Sequence, residues 1–189
     1  MKNFKWLVLL LSGYLFDVDA ARLKMEYGIE ARGSAYFPVS NTYRRIYGTV
    51  GPTVAFEGFG KLRNQVWGWT NVQWVPKHGH SIGNNNSTHI NVLNWSLGLK
   101  YTWRFQKNYY PYLGIGPNLS AVWLDNHSHC TKSPSKTAVG FVVKSGVYCV
   151  VYKHLYVNAF VDYLYQRVQF KKDANLSGAN LGAGLGYFF

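Results

Sequence analysis

The sequence has few charges, few carboxylates and few long apolar runs. Charged residues make up 15% of its 189 residues, well below the roughly 25% of an ordinary soluble domain. Eight acidic residues stand against twenty Lys and Arg, so the formal net charge is +12. After residue 20 no segment has 18 consecutive apolar residues, which excludes a membrane-spanning helix from that part of the sequence.

Cysteine is scarce as well, since the sequence contains only Cys130 and Cys149. The strand assignment places these two residues at opposite ends of one strand, too far apart for a disulfide bond. We therefore expect two unpaired thiols.

Aromatic residues and glycine are abundant: the sequence has 15 Tyr, 11 Phe, 7 Trp and 19 Gly. Aromatic side chains are enriched in β-strands, so this composition favours β-structure over a helical bundle. The length fits one domain.

The first twenty residues have the features of a secretory signal peptide. Lys2 and Lys5 give a positive start, Trp6–Phe16 is apolar, and Val18–Ala20 supplies small residues at the cleavage spacing. The apolar stretch is too short to span a membrane, which needs about 20 residues. We predict cleavage after Ala20, which separates a signal peptide at 1–20 from a single domain at 21–189.

Eight segments of similar length are predicted to be strands, because apolar residues recur at every second position in most of them. The first begins near Leu23 and the last ends at Phe189. The six between them are Tyr47–Lys61, Val66–Val75, Ile90–Trp103, Tyr110–Leu124, Val139–Val151 and Leu155–Phe170. The third is the weakest, since Trp67 and Trp69 share one side with polar residues.

The last predicted strand shows what the two faces of the sheet contain. Between Ala179 and Phe189 one side is apolar and aromatic, whereas the other is mostly glycine. A glycine face makes little sense in water, but inside a narrow barrel it leaves room for long side chains from other strands. We therefore predict a barrel with apolar side chains outside and polar side chains inside.

The connections between the predicted strands alternate between short and long. The short ones are Leu62–Gln65, Arg104–Tyr109 and Tyr152–His154. The others are mostly longer: Tyr36–Ile46, Pro76–His89 and Asp125–Ala138, with a shorter Lys171–Asn175. This alternation, with an even number of antiparallel strands, is typical of outer-membrane barrels. Aromatic residues near both ends are then predicted to form two interfacial girdles: Trp103, Tyr109, Tyr110, Tyr112, Tyr152 and Tyr156 by the turns, and Trp74, Trp123, Tyr163 and Tyr165 by the loops.

The chain after residue 20 resembles the small eight-stranded outer-membrane barrels of the OmpA/OmpX and opacity-protein type. The resemblance rests on the signal peptide, the strand count, the loop alternation, the stretches Tyr43–Leu62 and Asn94–Trp103, and the ending Tyr187-Phe188-Phe189. It implies an all-β, eight-stranded antiparallel, up-and-down transmembrane β-barrel in the outer membrane of a Gram-negative-type bacterium, with both termini periplasmic. It also implies that Tyr187 and Phe189 belong to a signal that the outer-membrane insertion machinery reads.

Nine charged residues occupy positions predicted to face inward. They are Lys24, Glu26, Glu30, Arg32, Glu57, Lys61, Lys100, Lys144 and Asp162. Eight strands enclose only enough space for side chains, and charges buried there need partners. We expect an ion-pair network that plugs the lumen, with a narrow channel for ions or small solutes as the alternative.

Most of the remaining positive charge is predicted to lie in the outer loops. These basic positions are Arg44, Arg45, Lys77, Lys132, Lys136, Lys171 and Lys172. Such a rim would attract the phosphates of lipopolysaccharide and other outer-membrane lipids, or a polyanion on a host surface. Export to the outer membrane argues against nucleic acid as the partner, and we expect no cofactor.

Two predicted loops also collect histidine. The five residues are His78, His80, His89, His127 and His129. The H-x-H spacing beside Cys130 would suit zinc or copper, but no third ligand is fixed by the sequence. We therefore predict no metal site.

Asp125, His127 and Ser128 raise the alternative of an enzyme that modifies lipid A. Catalytic groups need rigid neighbours, and this predicted loop is polar and flanked by Lys, Ser and Pro. We expect a non-catalytic protein with a structural and surface-contact role, in adhesion or lipopolysaccharide contact.

Overall fold

The computed structural model describes residues 26–80, 87–126, 135–169 and 173–189. One helix, α1 (Asn41–Tyr47), follows the first strand in these residues. The strands are β1 (Tyr27–Pro38), β2 (Gly51–Arg63), β3 (Val66–His80), β4 (Ser87–Thr102), β5 (Tyr109–Asn126), β6 (Ser135–Tyr152), β7 (Leu155–Gln169), β8 (Asp173–Asn175) and β9 (Gly178–Phe188). No helix among the described residues is long and apolar enough to cross a lipid bilayer.

Eight of these strands close into one antiparallel barrel. Each strand from β1 to β7 pairs with its neighbour in sequence, and β9 pairs with both β7 and β1. The short strand β8 pairs with the end of β7. In this pairing Arg167 lies opposite Asn175, Val168 opposite Ala174 and Gln169 opposite Asp173. The predicted all-β, up-and-down, eight-stranded architecture is confirmed.

The two faces of the barrel wall are apolar outside and polar inside. On β2, Phe56 is 70% exposed, whereas its neighbour Glu57 is 3% exposed. Leu97 and Leu185 are also exposed on the outer face. Such a surface would be unfavourable in water, but it suits contact with the hydrocarbon of a membrane.

The interior is layered along the barrel axis. Next to the short turns at residues 64–65, 103–108 and 153–154 lies a buried aromatic layer, composed of Phe59, Trp67, Tyr112, Tyr148, Tyr156 and Phe188. At the opposite end, which carries the longer connections, lies an apolar cap built from Tyr36, Tyr43, Val75, Ile90, Val92, Val122, Ala138 and Leu176. Polar side chains fill the space between the aromatic layer and the apolar cap.

The sequence pattern of strand β3 is ambiguous because aromatic and polar side chains share its inward face. Trp67 and Trp69 both face the interior, where they are 8% and 4% exposed, together with the buried Asn71. Trp67 packs edge-on against Phe59 with ring centres 5.7 Å apart. The Trp69 ring lies 4.8 Å from Lys144 Nζ. The indole rings of Trp67 and Trp69 therefore pack inside the barrel rather than against lipid.

The longer connections contain more regular structure than the sequence predicts. The prediction of a loop at Tyr36–Ile46 is wrong, because β1 continues to Pro38 and α1 follows it. Ser40 caps the helix, since its Oγ accepts a hydrogen bond from Tyr43 N at 3.3 Å. The Tyr43 ring meets the Tyr36 ring edge-on at 6.4 Å, and burial raises the pKa of the Tyr43 hydroxyl. Helix α1 thus anchors itself in the apolar cap.

The outer parts of β3 to β6 also extend past their predicted bounds. β3 and β4 remain paired as far as His80 and Ser87, and β6 begins at Ser135. The predicted loops Pro76–His89 and Asp125–Ala138 are therefore largely strand where the structure describes them. Backbone hydrogen bonding between neighbouring strands continues where the apolar pattern has already ended, so the pattern marks the lipid-facing part better than the strand itself.

The predicted aromatic girdles need one correction. Tyr112 and Tyr156 lie inside the barrel, where they are 1% and 0% exposed. Tyr112 shares its side of β5 with Gly114, and Tyr156 shares its side of β7 with Asn158, so both rings must point inward. The other residues predicted for the girdles are exposed or half-buried: Trp74, Trp103, Tyr109, Tyr110, Trp123, Tyr152, Tyr163 and Tyr165.

Candidate functional site in the barrel interior

Six charged side chains meet above the aromatic layer and form what we call the interior ion cluster. Its members come from five strands: Glu30, Arg32, Glu57, Lys100, Lys144 and Asp162. The cluster contains three cations and three anions, and the side chains are at most 6% exposed. Burying a single ion costs several kcal/mol, so equal numbers of opposite charges at contact distance are required here.

Glu57 occupies the centre of the interior ion cluster. Its Oε2 lies 3.0 Å from Arg32 Nη1 and 2.8 Å from Lys144 Nζ. Its Oε1 accepts a hydrogen bond from Lys100 Nζ at 3.0 Å. One carboxylate therefore joins cations from three other strands, β1, β4 and β6.

The other two carboxylates complete the cluster at its edges. Asp162 Oδ2 lies 2.9 Å from Arg32 Nη1 and 3.1 Å from Lys144 Nζ. Glu30 Oε1 lies 3.2 Å from Arg32 Nε and accepts a hydrogen bond from Asn158 Nδ2 at 2.8 Å. Arg32 thus contacts all three anions, and the cluster is continuous across the interior.

Aromatic side chains complete the surroundings of the cations. Lys100 Nζ lies 3.4 Å from the centre of the Phe59 ring and donates to Tyr148 Oη at 2.6 Å. The guanidinium carbon of Arg32 lies 3.5 Å from the centre of the Phe160 ring. Cation–π contacts are stronger when the cation is removed from water, so the aromatic layer supports the cluster electrostatically as well as sterically.

Glycines on β9 provide the space that these side chains need. A methyl group at Gly184 would collide with the Glu30 carboxylate, and one at Gly186 would collide with the Tyr156 hydroxyl. The glycine face of the last strand is therefore the wall against which Glu30 and Tyr156 pack.

Three of the nine predicted interior charges do not lie in this cluster. Lys24 falls outside the described residues. Glu26 and Lys61 are exposed at the short-turn end, which corrects the prediction that they face the lumen. Lys61 lies beyond the aromatic layer, where a register irregularity between Lys61 and Arg63 ends the regular β2–β3 ladder. Alternation gives the side of a strand, but it does not show where the enclosed lumen ends.

Several residues that contact the cluster were not predicted from sequence. Tyr112 and Tyr156 were missed because tyrosines near strand ends were assigned to the membrane interface, and Tyr148 was not assigned to any site. Tyr156 Oη donates to Glu30 Oε2 at 3.2 Å, and Arg32 Nη2 donates to Tyr112 Oη at 3.4 Å. The available signal was that each tyrosine shares its side of the strand with glycine, asparagine or charged residues.

Among the predicted basic contacts at the outer end, Arg44, Arg45 and Lys136 are exposed, the two arginines on α1 and the lysine on β6. Lys77 is 4% exposed, and its Nζ lies 3.5 Å from the Tyr47 carbonyl oxygen. This corrects the prediction that Lys77 is an outer contact. Lys77 occupies an inward-facing position of β3, so its side chain points into the barrel. The remaining three, Lys132, Lys171 and Lys172, lie outside the described residues.

The remaining predicted sites are placed only in part. Tyr187 and Phe189 are exposed on the outer face, and their rings pack edge-on at 5.1 Å. The register places His78 opposite His89 on β3 and β4. His127, Ser128, His129 and Cys130 lie outside the described residues, and Cys149 on β6 is half-buried. In the described part of the chain, no three His, Cys, Asp or Glu side chains are grouped to hold a metal.

Comparison with known proteins agrees with the barrel geometry. Neisserial surface protein A is 18% identical over 86% of this chain and 96% of its own, with a TM-score of 0.63. OprG from Pseudomonas aeruginosa is 13% identical over 87% and 95%, with a TM-score of 0.68. Ail from Yersinia pestis, solved with the heparin analogue sucrose octasulfate, is 10% identical over 86% and 97%, with a TM-score of 0.51. At these identities the likeness shows the fold alone.

No curated protein is significantly similar in sequence. The family model described as outer membrane protein beta-barrel domain matches residues 64–189, which is more than half of the chain. With the closed antiparallel barrel and its apolar outer face, this match establishes the outer membrane as the location. The chain belongs to the outer membrane protein beta-barrel domain family.

Proposed function

We propose that the protein is a non-catalytic outer-membrane barrel with a plugged lumen, whose basic outer end contacts anionic groups at the cell surface. The observation that carries the proposal is the interior ion cluster. Six charged side chains fill the barrel at one level, with the aromatic layer on one side and neutral polar side chains on the other. The charge balance of this filling and the low exposure of its side chains, at most 6%, support a lumen without a continuous aqueous path.

Conductance in planar bilayers tests the plugged lumen. The native protein is expected to give no stable single-channel conductance above the background of detergent alone, whereas an open porin inserted in the same bilayers does. A steady, concentration-dependent conductance of the native protein would favour the narrow channel and contradict the plug.

The contact at the outer end is supported by exposed cations on α1 and β6. Arg44, Arg45 and Lys136 are exposed there, although Arg44 Nε also donates to the Pro38 carbonyl oxygen at 2.6 Å. The predicted loops add Lys132, Lys171 and Lys172. Phosphates of lipopolysaccharide or sulfates of a host glycan have the complementary charge. The sucrose octasulfate bound to Ail, a protein of similar fold, makes a heparin-like ligand a reasonable probe.

Binding of whole cells to immobilised heparin tests this contact. Cells that carry the variant Arg44→Gln/Arg45→Gln are expected to elute at lower salt than cells that carry the native protein. Each charge lost weakens a screened electrostatic attraction. Arg63→Gln/Lys107→Gln is the matched control, since it removes two exposed cations from the short turns, which face the periplasm in this family. Equal elution of all three proteins would contradict the proposal.

The same proposal assigns no reaction to the segment that contains Asp125, His127 and Ser128. Mass analysis of lipid A from cells that express the native protein or His127→Ala/Ser128→Ala should give identical profiles. A lipid A species that requires the native residues would replace the proposal with that of a lipid-modifying enzyme.

A further inference from the structure

The three short turns carry a concentration of positive charge that neither the lumen nor the outer end explains. Each turn, with its flanking residues, has at least one cation: Lys61 and Arg63, Arg104 and Lys107, and Lys153. The segments 61–65, 103–108 and 151–154 contain no Asp or Glu. At this end of the described barrel, the exposed acidic side chain is Glu26. The surface is therefore strongly positive.

Four of these five cations are available for an external partner, whereas Arg104 also donates to the Gln106 and Lys107 carbonyl oxygens, each at 3.4 Å. Lys61, Arg63, Lys107 and Lys153 are exposed, and Arg104 is half-buried. Among the described residues, every ion pair lies in the interior ion cluster. The turn cations are thus not neutralised by carboxylates of the described chain.

Each turn also exposes one large apolar or aromatic side chain directly beside a cation. Leu62 is 65% exposed, Phe105 is 70% exposed and Tyr152 is 64% exposed. Leu62 lies between Lys61 and Arg63 in sequence, Phe105 follows Arg104, and Tyr152 precedes Lys153. The Lys153 Nζ lies 5.2 Å from the centre of the Tyr152 ring. The same combination therefore occurs three times around one end of the barrel.

An apolar side chain beside a cation suits the interface of a membrane. The apolar group enters the acyl-chain region while the cation stays at the level of the lipid phosphates. A soluble polyanion would satisfy the cations but would leave Leu62 and Phe105 in water. The repeated pairing therefore favours a lipid partner over a soluble one.

We propose that the three short turns form a cationic ring, consisting of Lys61, Arg63, Arg104, Lys107 and Lys153, that binds anionic phospholipid headgroups. In outer-membrane barrels the short turns are periplasmic, so the partner lipids lie in the periplasmic leaflet, in which lipopolysaccharide is not the anionic component. The cationic ring acts at the opposite end from the heparin-binding contact proposed above and is independent of it.

Lipid association measured with spin-labelled lipids tests the ring. The native protein is reconstituted in phosphatidylcholine bilayers with trace spin-labelled phosphatidylglycerol or spin-labelled phosphatidylcholine, and the relative association constant is obtained for each. The variant Arg63→Gln/Lys107→Gln/Lys153→Asn removes one exposed cation from each turn. Asparagine is chosen at Lys153 because this residue has a φ of 45°, which asparagine tolerates.

The preference for phosphatidylglycerol should fall at least about threefold in this variant, because a cation near an anionic lipid surface contributes roughly a fivefold preference. The matched control Arg44→Gln/Arg45→Gln/Lys136→Gln removes three exposed cations from the outer end and should retain more of the preference. No loss in the turn variant, or a loss equal to that of the control, would overturn the proposal.

A second measurement separates lipid from soluble partners. If the turn variant keeps its lipid preference but loses binding to soluble polyglutamate, the ring serves a soluble polyanion and the proposal is wrong. Cold-detergent electrophoresis with and without boiling verifies that each variant is folded. Raising the salt concentration should reduce the native preference, since exposed charges are screened over about 10 Å at 0.1 M salt.

Discussion

The interior of this barrel contains two polar regions, and each satisfies its buried polar groups in a different way. The interior ion cluster uses three cations and three anions from β1, β2, β4, β6 and β7. Closer to the outer end, a neutral chain of amides and hydroxyls runs through β3, β4, β5 and β9: Gln73, Asn94, Ser96, Asn118, Ser120 and Asn180. Both regions are buried apart from the half-buried Gln73, but only the first concentrates charge.

The neutral chain consists of successive hydrogen bonds across the barrel. Ser96 Oγ donates to Asn118 Oδ1 at 2.9 Å, and Asn118 Nδ2 donates to Ser120 Oγ at 2.8 Å. Ser120 contacts Asn94, whose Nδ2 donates to Gln73 Oε1 at 3.3 Å. Amides act as donor and acceptor at once, so such a chain can extend without any charge.

The difference teaches that side chains can fill this interior with ions or with neutral polar groups. When one side chain is removed from the neutral chain, one or two hydrogen bonds are lost. When one ion is removed from the interior ion cluster, an uncompensated buried charge remains. We therefore expect the ion cluster to be the more sensitive region and the neutral chain to tolerate substitution better. Substitutions in the two regions test this expectation.

The largest effect is expected from Glu57→Gln. Glutamine keeps the shape of the side chain, but Arg32, Lys100 and Lys144 then surround a neutral group. Removal of one partner from a buried ion pair destabilises proteins by about 3–5 kcal/mol. Equilibrium unfolding in urea, followed by tryptophan fluorescence in detergent micelles or lipid vesicles, measures the loss. A loss below about 1 kcal/mol would show that water enters the cluster.

A charge-balanced double variant is the control for that result. Glu57→Gln/Lys100→Gln removes one anion and one cation that lie 3.0 Å apart. Residues in one ion-pair network are commonly coupled by about 0.5–3 kcal/mol, so the double variant should be more stable than the sum of the two single losses predicts. Additive losses would mean that charge balance does not hold the cluster together.

A smaller effect is expected from Asn118→Ala in the neutral chain. The substitution leaves Ser96 and Ser120 each without one partner, and an unpaired buried polar group costs about 1–3 kcal/mol. Asn108→Ala, in an exposed turn, is the matched control and should be near neutral. If Asn118→Ala destabilised the barrel as much as Glu57→Gln, the two regions would be energetically equivalent and the comparison would fail.

The sequence predicted much of this arrangement, but not its limits. Alternation with period two predicted the eight barrel strands and the side on which Glu30, Arg32 and Glu57 lie. Tyr112 was nevertheless assigned to the membrane interface, because a tyrosine near a strand end suits that position as well as a barrel interior, although its side of β5 is shared with Gly114. Alternation also missed α1, a helix of seven residues whose Tyr43 is buried in the apolar cap among residues distant in the sequence.

The interior partners were equally unpredictable, for a geometric reason. Glu57 and Lys144 are far apart in sequence and belong to strands that do not pair with each other. Their contact depends on how far neighbouring strands are displaced along the barrel axis, and a single sequence does not give that displacement. The neutral chain was missed for the same reason, since Asn and Ser have many possible partners.

The smallest effect, expected from Lys61→Gln, defines where the interior ends. Lys61 and Lys100 were both predicted to face the lumen, yet Lys61 is exposed and Lys100 is 1% exposed with its ammonium beside Glu57. Surface substitutions commonly change the free energy of unfolding by no more than about 0.5 kcal/mol, so Lys61→Gln should unfold at nearly the native urea concentration.

Lys100→Gln, measured in parallel, should be destabilised by several kcal/mol, since Glu57 then loses a partner in a buried site. The two substitutions are chemically identical, so any difference between them reports burial and pairing alone. Equal losses would mean that Lys61 enters the lumen when the barrel is in lipid, and the interior would then extend past the aromatic layer to the short turns. A near-neutral Lys61→Gln instead leaves Lys61 available to the cationic ring, where its charge affects lipid binding and not folding.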